Sequence, residues 1–339
     1  MSMEKLIKEK SIFDWIEEKL APIYSTSEEF IYNEMESQSG YGLPIIYKPF
    51  DCANKYHWVD RGLMYDFLYS TNGEGKKLLD FGPGDGWPSL IVAPYAEEVI
   101  GLDSSEKRVE VCRENARRMG LINAKFFSYN SEDRLPFEDN TFDGIMAASS
   151  IEQTPDPKKT IEELYRVLKP GGKIRIHYEA LSRYKDGLEN DIWIAELNKE
   201  SCKLIIFNRN IEEEFVVQYG LTIAMSRKEL VEKLNNSVGF SELSISLLEE
   251  MEPKITNTQA LRTIHPSGKT YTKWFKEAGF REVLPTYSGG TAASRLYDLY
   301  KEELPNSLEA VDEAIKKTVK IVVGLEAPIE TDPMIIAVK

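Results

Sequence analysis

Between Lys76 and Tyr178 short apolar runs alternate with amphipathic helical stretches, and that alternation leaves few folds open to the chain. Runs at 77–81, 98–102, 124–128, 142–148 and 173–178 have the length and apolar make-up of strands buried on both faces. The helix between the second and third runs is capped by Ser104 or Ser105, carries Val109, Cys112 and Ala116 on one face, and stops at Gly120. Another opens on Asp156 and Pro157, runs through Ile161, Leu164 and Leu168, and ends in a turn at Lys169, Pro170, Gly171 and Gly172. Strands alternating with helices in this way predict an α/β fold with a parallel, doubly wound sheet.

The flanking segments follow other patterns. Residues 1–70 read as an N-terminal helical cap, with Ile7, Ile12, Trp15, Ile16 and Leu20 as one apolar stripe and a second helix near Val59–Tyr69. Residues 71–180 form the core. Residues 181–265 break the alternation: 203–207 and 214–225 suit antiparallel strands, and Arg227–Leu234 suits a helix. This α+β insertion is expected to serve as a substrate lid or in dimerisation. The end of the core sheet is expected in 266–339, with a helix at 267–278, a stop at Gly279, a helical insertion at 291–324 and a last strand at 333–339.

Charge narrows the partners. Forty-two basic residues against 56 acidic ones give a net charge of −14, which repels a phosphate backbone. Arg113, Arg117 and Arg118, with Lys107 nearby, lie on a helix that should pack on the sheet and lack interleaved aromatics for base stacking. No nucleic acid is expected as partner. The first twenty residues interleave charges with apolar residues, and no segment approaches the ~18 consecutive apolar residues of a membrane span, so the expectation is a soluble, cytoplasmic protein without a membrane partner. Cys52, Cys112 and Cys202 lie too far apart for a disulfide framework or a metal-type pair, so each is expected to be a structural thiol and no metal site is expected.

The chemistry concentrates at Leu78–Gly86, where an apolar strand ends at Asp80 and Phe81 and runs into Gly82, Pro83, Gly84 and Gly86. Glycines at a strand-to-helix turn permit positive φ and let a ligand approach where a Cβ would block it. A tight structural turn is the alternative. The context favours a cofactor turn: a strand precedes it, Pro88 opens a short helix after it, and Asp103 stands at the end of the next strand. A carboxylate there can accept hydrogen bonds from both ribose hydroxyls of an adenosine, although it can also cap the helix that follows.

Four segments in order, Leu78–Gly86, Gly101–Ser105, Leu135–Pro157 and Glu163–Ile176, resemble the class I S-adenosylmethionine-dependent methyltransferases of the ubiquinone/menaquinone-biosynthesis-like branch. The resemblance implies a seven-stranded Rossmann-like sheet whose last strand is antiparallel. It implies S-adenosylmethionine as cofactor, with Asp80 and the Gly82–Gly86 loop at its methionine end and Asp103, beside Ser104, at the ribose. The adenine would be read at Ser131 and Glu132, where serine replaces the family's usual aspartate; either Ser131 suffices, or Glu132 or Asp133 takes over. Ser149, after the fourth strand, would border the same pocket.

The family often carries histidine before the PDP segment, whereas this chain reads Ser149, Ser150, Ile151, Glu152, Gln153. Methyl transfer from a sulfonium is an in-line displacement, so positioning and exclusion of water supply much of the rate, and a base is needed only where the acceptor must lose a proton. Candidates stand at strand ends: His177, Tyr178 and Glu179 after the fifth strand and Glu152 after the fourth. His265 reads as a turn residue able to reach over a site, and Tyr47, His57, Trp58 and Arg61 as residues of a pocket cover or of the core. The expectation is a methyltransferase acting on a small or medium-sized acceptor, possible as a homodimer through 291–324. Its rivals are a non-catalytic cofactor-binding sensor or partner subunit on the same fold, and a methyltransferase of protein or RNA.

Overall fold

The computed structural model describes residues 11–33, 50–131, 134–184, 192–236, 243–326, 328 and 334–339. The chain divides into two compact units, residues 1–36 with 181–263 and residues 37–180 with 264–339. The division differs from the expected one at the N-terminus. Residues 11–33 fold with the insertion, and helix Lys55–Ser70 belongs to the core.

In chain order the helices are α1 (Ile12–Trp15), α2 (Lys55–Ser70), α3 (Ser89–Val92), α4 (Glu106–Arg118), α5 (Pro157–Val167), α6 (Arg227–Asn236), α7 (Ile245–Met251), α8 (Gly268–Ala278), α9 (Gly289–Tyr300) and α10 (Leu308–Gly324). The strands are β1 (Ile23–Tyr24), β2 (Lys77–Phe81), β3 (Glu98–Asp103), β4 (Ala124–Ser128), β5 (Phe142–Ala148), β6 (Leu168–His177), β7 (Ile192–Glu196), β8 (Cys202–Asn210), β9 (Phe215–Ile223), β10 (Ile255–Ile264), β11 (Arg281–Pro285) and β12 (Met334–Val338).

The larger unit is built on a seven-stranded sheet in the order β11-β12-β6-β5-β2-β3-β4. β12 runs antiparallel to both neighbours, while β6, β5, β2, β3 and β4 are parallel. Successive strand residues enter opposite cores. Leu78, Val99 and Met146 pack with α2, α3, α4 and α10, and Leu79, Ile100 and Ile145 pack with α5 and α8. Ser105 caps α4 and Asp156 caps α5, each accepting a hydrogen bond from the backbone N–H three residues on. Gly120 follows α4 at φ +67°. The segment 168–172 is no free turn. It belongs to β6, because Gly171 N–H donates to Lys339 O (2.9 Å) and Lys339 N–H to Gly172 O (3.0 Å).

A buried ion pair ties α2 to this sheet. Arg175 of β6 and Asp66 of α2 have side chains 1% and 0% exposed, and Asp66 also accepts from Ser70 Oγ (2.8 Å) and Gly289 N–H (2.6 Å). Gly62 makes the contact between α2 and α9 possible, since a Cβ on it would lie 2.4 Å from Gly289 O. The expected helical stretch 291–324 is two helices. α10 buries Val311, Ile315, Val319 and Val323, a stripe at helical spacing, in the core of the same unit.

The smaller unit is a five-stranded sheet in the order β1-β10-β9-β8-β7. β8 and β9 form the expected antiparallel pair, in register from Cys202 opposite Ile223 to Asn210 opposite Phe215. Leu204 and Ile206 face a core made with Trp15, Ile16, Leu230 and Leu248, while Ile205 turns to Phe30 and Leu261. Residues 11–33 thus supply side chains to both faces of a sheet that the sequence reading had placed wholly within the insertion.

Candidate cofactor site

β2 delivers Asp80 fully buried at the point where the backbone turns, and Gly82, Gly84 and Gly86 take φ of +71°, +61° and +106°. The three glycines answer different needs. A Cβ on Gly82 would lie 2.3 Å from Ser150 Cβ and one on Gly86 2.5 Å from Leu90 Cδ1, whereas a Cβ on Gly84 would meet nothing within 4 Å. Gly84 therefore faces open space, where a ligand approaches the backbone.

Asp80 Oδ2 accepts from the N–H (3.2 Å) and hydroxyl of Ser89, at the start of α3. Its Oδ1 is buried with no hydrogen-bond partner. Burial pushes the Asp80 carboxyl up to about 7, the nearby Asp103 charge adds to the rise, and the Ser89 hydrogen bonds oppose it. A buried carboxylate oxygen without a donor is costly and suits a cationic ligand group. Asp103, at the end of β3, accepts from Gly84 N–H through Oδ2 (3.2 Å) and from Ser105 N–H through Oδ1 (2.9 Å). Ser105, not Asp103, caps α4.

The remaining cofactor candidates spread around this turn. Ser104 is half-buried beside Asp103, and Pro83 is buried. The Phe81 side chain is 2% exposed in the core, and its carbonyl accepts from Ser150 Oγ (2.6 Å), so only its backbone belongs to the turn. Ser131 lines a cavity of about 190 Å³ with Tyr129, Leu135 and the first turns of α5. Glu132 and Asp133, like Tyr47, lie outside the described residues. A cavity of about 530 Å³ at the outer edge of β4 is lined by none of the candidate residues.

Beyond the ends of β5 and β6 the structure separates the catalytic candidates. Ser149 is exposed at φ +50°, its N–H donates to His177 O (2.7 Å), and its Oγ lies 3.1 Å from His177 Nδ1. Glu152 and Tyr178 are buried, 1% and 5% exposed. Glu152 accepts from Glu179 N–H (2.9 Å) and the Tyr271 hydroxyl (3.1 Å), and the Tyr271 and Tyr178 rings lie 5.0 Å apart. Burial pushes the Glu152 carboxyl up to about 7. His265, 2% exposed, lies 3.4 Å from the Glu179 carboxylate.

Other candidates are structural. His57 accepts from Asp51 N–H (3.0 Å), Trp58 is fully buried with its indole N–H on Cys52 O, and Arg61 pairs with Asp312. Arg113 donates to Phe126 O, while Arg117 and Arg118 pair with Glu114. Ser89, Tyr271 and Asn115 were not singled out in the sequence. The signal for Asn115 was there: a polar residue next to Ala116 on the buried face of α4 requires a partner.

Residues 79–176 match the family described as the methyltransferase domain. That stretch of the core is a methyltransferase domain. The seven strands and the antiparallel last strand of its sheet are those the resemblance implied. Among similar proteins, cycloartenol-C-24-methyltransferase 1 of Oryza sativa subsp. japonica is 26% identical over 55% of this chain and 66% of its own length. Demethylmenaquinone methyltransferase of Geobacillus sp. is 33% identical over 45% and 64%. The 27-O-demethylrifamycin SV methyltransferase of Amycolatopsis mediterranei is 31% identical over 41% and 50%. The chain thus spans between half and two thirds of these three relatives. A solved S-adenosylmethionine-dependent methyltransferase from Clostridium acetobutylicum aligns over 86% of this chain and 93% of its own at 12% identity, with a TM-score of 0.48. Among the described residues, no helix of this methyltransferase-domain protein is long and apolar enough to cross a membrane.

Proposed function

We propose that the protein binds S-adenosylmethionine and transfers its methyl group to a small or medium-sized acceptor. The observation that carries this reading is the buried, unpartnered Oδ1 of Asp80 beside a glycine turn that is open at Gly84. The residues fit the cofactor. Asp80 would take the ammonium of its methionine end, Asp103 the ribose hydroxyls, and Ser131 with its cavity the adenine. When bound, the cofactor supplies a methyl group on a sulfonium, already activated toward displacement.

The protein's own part is to hold that methyl in line with the acceptor and to keep water away. Of the three catalytic candidates, His177 is the one left half-buried at a strand end, and Ser149 Oγ fixes its ring. In this reading His177 receives a proton from acceptors that carry one. Glu152 and Tyr178 hold the segment after β6 from behind. The smaller unit, which lies outside the family match, would supply acceptor specificity, and a second copy of the chain would use the exposed Leu299, Ile321 and Leu325. The relatives named for sterol, menaquinone and rifamycin chemistry support a small-molecule acceptor. The net charge of −14 speaks against RNA.

Incubation with S-adenosylmethionine and, in turn, a sterol, a quinol and a macrocyclic alcohol tests the assignment, with S-adenosylhomocysteine read by mass spectrometry. Acceptor-dependent product is expected with at least one class. Tight cofactor binding with no product from any class would favour the non-catalytic sensor.

A further inference from the structure

The glycine turn has three residues at positive φ and little side-chain packing of its own, so something outside it must fix where its peptide groups point. The amides of its three glycines are held: Gly82 N–H donates to Leu102 O, Gly84 N–H to Asp103, and Gly86 N–H to Pro83 O. Two of its carbonyls are held from another element. Cys112 Sγ–H donates to Gly84 O (3.2 Å) and Asn115 Nδ2–H to Asp85 O (3.0 Å), both from the buried face of α4. The two donors are 0% and 1% exposed. Burial and the carboxylates of Asp103, Asp80 and Asp85 push the Cys112 thiol well above its usual range, so it stays a donor at neutral pH.

We propose that Asn115 and Cys112 are positioning residues for the cofactor, which hold the carbonyls of Gly84 and Asp85 toward α4 and so keep the open side of the turn clear for the homocysteine end. The inference rests on the reading of this turn as the cofactor loop. Without these donors the 84–85 peptide group loses its hold on α4 and the 85–86 group is restrained only through Gly86 N–H on Pro83 O, and glycine on either side of Asp85 lowers the steric barrier to turning. A carbonyl turned outward would then stand where the ligand must lie. Cys112 is more than an inert core thiol in this account, and Asn115 is buried because its amide has a fixed task.

The effect should fall on one half of the ligand. Titrating S-adenosylhomocysteine and adenosine separately into the intact protein, alongside thermal melting, distinguishes loop positioning from general loosening of the core. Asn115→Leu is expected to weaken S-adenosylhomocysteine binding about tenfold, the scale of a lost buried hydrogen bond, and adenosine binding far less. Cys112→Ala should weaken the first ligand in the same selective way, and Cys112→Ser, which keeps a donor, should restore it. Equal losses for both ligands, or no loss in either alanine or leucine variant, would overturn the proposal. Should Asn115→Leu fail to fold, the Cys112 pair decides alone. If the unmodified protein bound adenosine or S-adenosylhomocysteine at no detectable level, the reading of the turn itself would fall, and the proposal with it.

Discussion

Valine at position 84 is expected to abolish binding of S-adenosylhomocysteine while the protein stays folded. Gly84 sits at φ +61°, where a β-branched residue is strained, at a cost of about 1–3 kcal/mol. Its missing Cβ faces open space, so the added side chain meets no protein atom and projects into the volume the ligand needs. The neighbouring glycines behave otherwise. Substituting Gly82 or Gly86 drives atoms into Ser150 or Leu90, and loss of binding there would be mixed with loss of stability. Calorimetric titration of Gly84→Val beside a melting curve should show affinity reduced by at least about 100-fold, the effect of a steric block added to backbone strain, with melting shifted by a few degrees. Unchanged affinity would remove the glycine turn from the site.

The second large effect concerns stability. Asp66→Ala leaves Arg175 buried without its carboxylate, and the remaining partners, Thr286 Oγ1 and Tyr287 O, do not neutralise it. Breaking a buried ion pair by removing one partner costs about 3–5 kcal/mol, roughly 10 °C in melting temperature for a unit of this size. The same change frees Gly289 N–H at the start of α9, which adds to the loss. Replacing both partners, as in Asp66→Leu with Arg175→Met, should recover much of the difference, because the desolvation cost of the charges disappears with them. Thermal or urea unfolding checks both variants. A loss under about 1 kcal/mol for Asp66→Ala would mean that the pair does not staple α2 to the sheet.

The core was legible because a parallel sheet buried on both faces writes itself as apolar runs of strand length, and β2, β3, β4 and β5 lie within a residue of where those runs predict them. β7 and β10 left no such trace. β10 reads Ile-Thr-Asn-Thr-Gln-Ala-Leu-Arg-Thr-Ile with much of its length exposed or half-buried, and its pairing depends on neighbours distant in sequence. The same non-local cause hid the grouping of residues 11–33 with the insertion. At the site, the spacing of Asp80, the glycines and Asp103 was readable because a strand-to-helix turn is local. The Cys112 and Asn115 contacts were not, since they depend on how α4 lies against the loop. The burial of Glu152 and Tyr178 was hidden for a related reason: a place at a strand end does not say whether a side chain turns outward or back into the core.

The measurement that bears most directly on the central claim is titration of the intact protein with S-adenosylhomocysteine at pH 6 and pH 7.5, with NAD as the competing cofactor. Asp80 is held protonated below about pH 7, and an ammonium partner binds its ionised form, so binding must release a proton at the lower pH. The affinity for S-adenosylhomocysteine should therefore rise from pH 6 to 7.5, by roughly five- to tenfold for a carboxyl titrating near 7, and NAD should not bind. Binding of NAD, or of neither ligand at either pH, would contradict the account, and tight binding indifferent to pH would take the ammonium away from Asp80.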